Sequence, residues 1–223
     1  MKKFIFLLAA LFICHAASAG TLKSETIQDQ GVTRSYYIYL PADLPANAPL
    51  VFILHGYGGS AKAYVNNSSL TFKELAEEYK VALCYPQATT DPRPNTGWNV
   101  YYPWQIDKMK IDDCEFICNL AKHLHTKYNL SAKNTFLTGM SNGGEMCYLM
   151  AYRKASEFAA IASMAGLTLT EMAKRHNYET PIAFMEVHGT GDMTSRWEGD
   201  PINQFGWGAY LAVPVAVGAV AAA

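Results

Sequence analysis

The residues best suited to chemistry lie in the pentapeptide Gly139-Met140-Ser141-Asn142-Gly143. Residues 134–138 before it have the composition of a short buried strand, and residues 144–154 after it have the pattern of a helix. A serine at a sharp turn from strand to helix is the setting of a nucleophile whose hydroxyl attacks a carbonyl carbon. The alternative is an ordinary glycine-rich loop, but the flanking strand and helix favour the nucleophile.

A nucleophilic attack on a carbonyl needs hydrogen-bond donors for the oxyanion that forms. The N–H of Asn142 lies at the predicted start of a helix, where unpaired donors and the helix dipole favour an anion. We expect the second donor from His55-Gly56-Tyr57-Gly58-Gly59, which follows the apolar run 50–54. The backbone N–H of Tyr57 or of Gly58 is the candidate, and a plain turn is the alternative.

A serine nucleophile also needs a base, and an acid that orients the base. Asp192 follows the strand predicted at residues 181–187 and the segment His188-Gly189-Thr190-Gly191. A lone aspartate after a strand is often a turn residue. Because Asp192 comes after Ser141 and after a late strand, its place in the chain favours the acid.

The elements that must position these residues alternate between strands and helices. A hairpin is predicted over residues 21–40, and buried strands are predicted at 50–54, 81–86, 134–138, 158–166 and 181–187. Helices are predicted at 70–79, from Asp112 to Tyr128, and at 144–154. This order predicts an α/β fold, a mostly parallel central sheet with helices on both faces. The motifs all follow strands, so they would gather at the carboxyl edge of the sheet.

The chain divides into a leader and one domain. Residues 1–19 have two lysines, an apolar run and a small-residue cleavage site, which predicts a signal peptide and export to the periplasm or medium. Residues 20–223 then form a single domain. With a net charge of −1 and no basic cluster, we expect no nucleic-acid partner. The leader is too short to be a stable membrane anchor. The oligomeric state stays open.

Four cysteines remain after the leader, and they would allow three complete disulfide pairings in an exported chain. The alternative, at least as good, is that they are small buried apolar side chains. Their spacing is not that of a metal site, and we expect neither a metal nor another cofactor.

Three motifs in this order, His-Gly-Tyr-Gly-Gly-Ser, Gly-Met-Ser-Asn-Gly-Gly and His-Gly-Thr-Gly-Asp, resemble the secreted polyhydroxybutyrate depolymerases and feruloyl and acetylxylan esterases. Ile111-Asp112-Asp113 and Gly206-Trp207-Gly208 add to the resemblance. It implies an α/β-hydrolase that cleaves carboxylic esters through an acyl-enzyme on Ser141. Feruloyl or acetyl xylan is the leading substrate, and a polyhydroxyalkanoate polyester is second. Trp98, Trp104 and Trp197 could stack on a sugar or phenolic ring, or belong to the core.

The chain departs from this family in one respect. The resemblance implies a catalytic histidine after Asp192 and one more strand, but none of the six histidines follows Asp192. The resemblance implies structural roles for His55 and His188. We therefore expect a truncated esterase with impaired activity, an unpaired sheet edge, uncovered apolar surface and poor folding. A ligand-binding protein without catalysis, or an acyltransferase, are the alternatives.

Overall fold

The first three described elements of the chain are strands, and the later strands alternate with helices, as the sequence predicts. A computed structural model describes residues 20–222, so the predicted signal peptide lies outside the described residues. The strands are β1 (Thr21–Asp29), β2 (Val32–Leu40), β3 (Ala48–Leu54), β4 (Ala82–Pro86), β5 (Leu130–Met140), β6 (Ala160–Met164) and β7 (Ala183–Val187). The helices are α1 (Ala61–Val65), α2 (Phe72–Tyr79), α3 (Asp113–Tyr128), α4 (Asn142–Lys154), α5 (Thr170–Arg175) and α6 (Val213–Ala221).

The described strands form one mixed sheet in the order β1-β2-β4-β3-β5-β6-β7. The hairpin β1–β2 is antiparallel, and β2 pairs antiparallel with β4. From β4 to β7 every pairing is parallel. The predicted mostly parallel sheet is confirmed, and it brings the carboxyl ends of β3, β5 and β7 to one edge.

Helices pack on both faces of the sheet. The larger core lies under α3 and α4 and takes alternate strand residues such as Leu50, Phe52 and Leu54. The residues between them, Val51 and Ile53, point to the opposite face, where α1 and α2 pack. Alternation with a period of two sends successive side chains to opposite faces. Because both faces are apolar, the sequences of the central strands are continuous hydrophobic runs.

Helix α3 begins where the sequence predicts. Asp112 is its N-cap, and its carboxylate accepts hydrogen bonds from the N–H groups of Cys114 and Glu115 at 3.0 and 3.2 Å. The next residue, Asp113, is buried and forms a 2.7 Å ion pair with the buried guanidinium of Arg34. This pair ties the first turn of α3 to β2.

One part of the sheet lacks a covering layer among the described residues. β7 is the edge strand, and its Met185 and Val187 side chains are 57% and 53% exposed. The same face of β5, β6 and β7 lines a largely apolar groove with a volume of about 350 Å³. No strand of the described residues follows β7, and the Ala/Val stretch near the end of the chain forms α6 instead. The uncovered apolar surface expected from the sequence is therefore present on this face.

All four cysteines of the described domain are free and buried, namely Cys84, Cys114, Cys118 and Cys147. The disulfide alternative is therefore wrong in this structure, and the thiols act as small apolar side chains. Among residues 20–222, no helix is long and apolar enough to span a bilayer.

Candidate active site

Ser141 lies on the sharp turn between β5 and α4. Its backbone has φ 55° and ψ −121°, a conformation that residues with a side chain rarely adopt. Its N–H donates to Met164 O at 2.8 Å, and its C=O accepts from Glu145 N–H at 2.8 Å. Strain of this kind persists only where the surroundings hold it, and it is concentrated at functional sites. The geometry is that of a nucleophile elbow.

The glycine at position 143 permits this turn by allowing a close approach. A Cβ added to Gly143 would lie 2.5 Å from Leu54 O and 2.9 Å from His55 O, which is too close for any real side chain. The first turn of α4 therefore packs directly on the end of β3. This packing brings the loop after β3 beside the serine.

The loop after β3 supplies the main chain on one side of Ser141. A Cβ placed on Gly56 would stand 3.9 Å from Ser141 Oγ, so the Gly56 backbone borders the hydroxyl. Of the two candidate oxyanion donors in this loop, the Gly58 N–H already donates to Thr96 O at 2.7 Å. Tyr57 is therefore the better candidate. Asn142 is the first residue of α4, where a helix leaves its N–H unpaired.

The Asn142 side chain anchors this turn from below. Its Oδ1 accepts from Trp98 N–H at 2.7 Å, and its Nδ2 donates to Glu145 Oε2 at 3.2 Å. The hydroxyl of Tyr102 donates to the same carboxyl oxygen. Glu145 is fully buried, and burial raises its pKa to about 7. Sequence reasoning missed Glu145, since a glutamate on a helix ordinarily faces solvent.

A small cleft opens beside Ser141, with an enclosed volume of about 10 Å³. Its walls come from three loops and from the first turn of α4, through Tyr102, Glu145, Leu167, Thr194, Ser195 and Trp207. None of these residues was a site candidate from the sequence. Trp207 belonged to a motif of the resemblance, and this was the available signal for it.

Asp192 lies in the loop after β7, two residues before Thr194 of the cleft wall. Its Oδ1 accepts from the N–H groups of Thr194 and Ser195 at 2.7 and 2.8 Å. Its own N–H donates to Gly189 O at 3.1 Å. Asp192 thus organises its turn, and the turn reaches the serine cleft.

None of the three candidate tryptophans lines the cleft beside Ser141 in the described structure. Trp98 is 0% exposed, and its indole N–H donates to His55 O at 2.9 Å, so for Trp98 the alternative of a core residue holds. Trp104 is 7% exposed and stacks on Tyr102 with ring centroids 4.4 Å apart. Trp197 packs edge-on against His188 at 6.2 Å and does not line the serine cleft.

Of the five described histidines, four form contacts with residues other than Ser141, and the fifth, His123 on α3, has a buried Nε2 with no hydrogen-bond partner among residues 20–222. His55 is buried, with Nδ1 2.8 Å from Gly56 O and Nε2 accepting from Ala88 N–H, and burial lowers its pKa. His188 contacts Glu186 and Ser195. His125 contacts Thr135, and His176 contacts Tyr101. The structural roles expected for His55 and His188 agree with these contacts.

A strained serine between a strand and a helix, on a mostly parallel sheet with helices on both faces, defines the chain as an α/β-hydrolase. The family model described as Esterase PHB depolymerase matches residues 34–195. The chain belongs to this family, as the motifs predict.

Its relatives and structural neighbours are carboxylic ester hydrolases. Acetylxylan esterase A of Talaromyces purpureogenus is 30% identical over 151 residues, which cover 67% of this chain and 38% of that protein. Probable feruloyl esterase C of Aspergillus oryzae is 28% identical over 205 residues, 87% of this chain and 70% of that protein. The solved acetyl xylan esterase from Aspergillus awamori is 25% identical with a TM-score of 0.55, covering 66% of this chain and 53% of its own. The chain spans less than two thirds of the length of the acetylxylan esterases that it matches.

Proposed function

We propose that the protein is a secreted serine hydrolase of carboxylic esters on plant cell-wall polysaccharide, with acetylated xylan as its first substrate and feruloylated xylan as its second. The strained conformation of Ser141 at the β5–α4 turn carries the proposal. No packing role requires a serine in this conformation. Its Oγ makes no hydrogen bond among residues 20–222, so the hydroxyl is available for attack on an ester.

In the proposed reaction, Ser141 Oγ attacks the ester carbonyl carbon, and the carbonyl oxygen becomes an oxyanion. The N–H groups of Tyr57 and Asn142 stabilise that charge. The C–O bond to the sugar breaks, the alcohol leaves with a proton, and the acyl group stays on Ser141. Water then releases the acid. Asp192 is the proposed acid of the triad.

The proposed reaction also needs a general base that takes the proton of the Ser141 hydroxyl, and residues 20–222 do not supply one. A triad that lacks one member keeps about 10³–10⁴-fold catalysis over water from its oxyanion hole and binding. We therefore propose that the 223-residue polypeptide, assayed alone, turns over esters slowly. The opposite case, binding without turnover, is the alternative that the engaged histidines favour.

The narrow cleft favours acetyl over feruloyl esters. Its enclosed volume is only about 10 Å³, roughly that of one water molecule, and Leu167 and Trp207 are among its walls. A two-carbon acyl group therefore requires less displacement of these walls than an aromatic one. The names of the acetylxylan esterase relatives favour the same order. The family model's description favours a hydroxybutyrate polyester as the alternative to both of these cell-wall esters.

The test compares hydrolysis of acetylated xylan, methyl ferulate and oligomeric hydroxybutyrate by the wild-type chain and by Ser141→Ala. We expect release of acetate to be fastest, and to stay above the buffer rate in Ser141→Ala, because that variant keeps the oxyanion hole and binding. The nucleophile is tested by the acyl-enzyme, which should form on Ser141 in the wild type and be absent from Ser141→Ala. Acylation to the same extent in both proteins would refute the nucleophile. Saturable binding of acetylated xylo-oligosaccharide with no release of acetate would establish the binding protein instead. Acyl transfer would be detected as an ester product when an alcohol acceptor is added.

A further inference from the structure

Two buried titratable side chains lie where β7 joins residues 188–195. These residues connect β7 to the serine cleft, and we call them the acid loop. Glu186 is in β7, and its side chain is 4% exposed. His188 begins the acid loop, and its side chain is 0% exposed. The proposed hydrolysis uses neither of them, so their burial needs another reason.

The contacts of the imidazole fix how many protons the pair must carry. His188 Nε2 is 2.6 Å from Ser195 O, and a carbonyl oxygen can only accept, so Nε2 carries a hydrogen. His188 Nδ1 is 2.9 Å from Glu186 Oε1. One more proton must lie between these two atoms, on either the imidazole or the carboxyl. If it is lost, a lone pair on nitrogen faces a carboxylate oxygen, and the contact becomes repulsive.

The surroundings provide no other positive charge for the carboxyl. Burial raises the pKa of Glu186, because an ionised carboxylate is poorly solvated there. Its remaining neighbours are two hydroxyls, a thiol and a backbone N–H, from Tyr148, Ser163, Cys147 and Gly166. On the opposite side, the ring of Trp197 meets the imidazole edge-on. Among the groups that the described structure places around Glu186, His188 alone can carry positive charge.

The imidazole is connected to Asp192 through one residue. Ser195 is held at both ends, since its C=O accepts from His188 and its N–H donates to Asp192 Oδ1 at 2.8 Å. Thr194 N–H donates to the same oxygen at 2.7 Å. Both Thr194 and Ser195 line the cleft beside Ser141. Loss of the imidazole contact therefore frees the C-terminal end of the turn that orients Asp192.

We infer that Glu186 and His188 form a positioning pair that holds the acid loop, and with it Asp192 and one wall of the cleft, while the pair retains its shared proton. Removal of that proton at higher pH loosens the loop. The inference rests on the proposed function, because Asp192 is the acid of that proposal.

Amide hydrogen exchange of Thr194 and Ser195 tests the pair without substrate. Protection factors, which correct for intrinsic exchange, are measured from about pH 5 to about pH 9, so that the pair is sampled with and without its shared proton. Glu186→Gln is the decisive variant, because its amide N–H can donate to a neutral imidazole while Nε2–H still donates to Ser195 O. His188→Ala removes the contact altogether. His125→Gln is the matched control, since His125 is a half-buried histidine of α3 that bonds Thr135.

In the wild type and in His125→Gln, we expect protection of both amides to fall about tenfold as pH rises, the equivalent of one hydrogen bond. In Glu186→Gln the protection should stay constant with pH, and in His188→Ala it should be low throughout. A pH-independent wild type, or a Glu186→Gln variant with the wild-type slope, would overturn the inference. If His188→Ala does not fold, the Glu186→Gln comparison still decides.

Turnover supplies a separate readout. In a chain that hydrolyses esters, kcat/KM should decline with the loss of amide protection, because Thr194 and Ser195 form a wall of the cleft, and Glu186→Gln should remove that decline. A kcat/KM profile that is identical in the wild type and in Glu186→Gln would overturn the link from the pair to the cleft. If no ester is hydrolysed while the exchange pattern is as expected, the proposed function fails and the positioning pair stands.

Discussion

Replacing Ser141 by glycine should stabilise the protein relative to replacing it by alanine. Both variants remove Oγ, which makes no hydrogen bond among residues 20–222. Only alanine keeps a Cβ at φ 55° and ψ −121°. A residue in such a conformation stores about 1–3 kcal/mol of strain. Glycine at an ordinary position loses about 0.5–1 kcal/mol through the entropy of the unfolded chain. The net expectation is that Ser141→Gly is more stable than Ser141→Ala by about 0.5–2 kcal/mol.

The assay is urea unfolding of both variants, followed by circular dichroism. With a slope of about 2 kcal/mol per M, a difference of 1 kcal/mol moves the midpoint by about 0.5 M. The matched control is the same pair of substitutions at Ser163, a buried residue of β6. There we expect the opposite sign, because glycine weakens a regular strand. If Ser141→Gly were equal to or less stable than Ser141→Ala, the strained elbow would be refuted.

Three further results are expected. Burial raises the pKa of Glu145 from 4.5 to about 7. The free energy of unfolding should therefore fall by about 3 kcal/mol as pH rises between those values, and stay level above them. Glu145→Gln should flatten this part of the pH–stability curve. Arg34→Leu should lower the free energy of unfolding, measured in urea, by about 3–5 kcal/mol because it leaves Asp113 buried and unpaired. Adding Asp113→Asn should recover part of that loss, and additive losses would contradict the pairing. Trp207→Ala should widen the cleft and raise kcat/KM for methyl ferulate relative to a small acetyl ester, and an unchanged ratio would exclude Trp207 as a wall of the acyl site.

The sequence was sufficient to predict the framework, because the relevant signals are local. The strand, serine turn and helix around Ser141 follow from hydrophobic pattern and glycine placement within about 20 residues. The cap of α3 at Asp112 follows from a side chain that bonds N–H groups two and three residues later. The free cysteines were left open, since pairing depends on distances that the sequence does not state.

The side chains around the serine could not be predicted, because their environment depends on contacts distant in sequence. The sequence left open whether Trp98 and Trp104, in the loop between β4 and α3, stack on a substrate or belong to the core. That loop packs against α4, where Trp98 N–H bonds the Asn142 side chain 44 residues away. From the sequence, Glu145 is expected to be a solvent-facing helix residue. In the structure its carboxyl is buried and accepts a hydrogen bond from the Tyr102 hydroxyl. The link from Glu186 through His188 to the acid loop depends on a hydrogen-bond network that closes only in three dimensions.

The most direct test of the central claim is intact and peptide mass spectrometry after incubation with 4-nitrophenyl acetate. An oxyanion hole without an efficient base allows an activated ester to acylate the serine and leaves the acyl-enzyme to hydrolyse slowly. We predict the gain of one acetyl group on the peptide that contains Ser141, with no such gain in Ser141→Ala. Acetylation confined to lysines, at equal extent in both proteins, would contradict the assignment of Ser141 as the nucleophile.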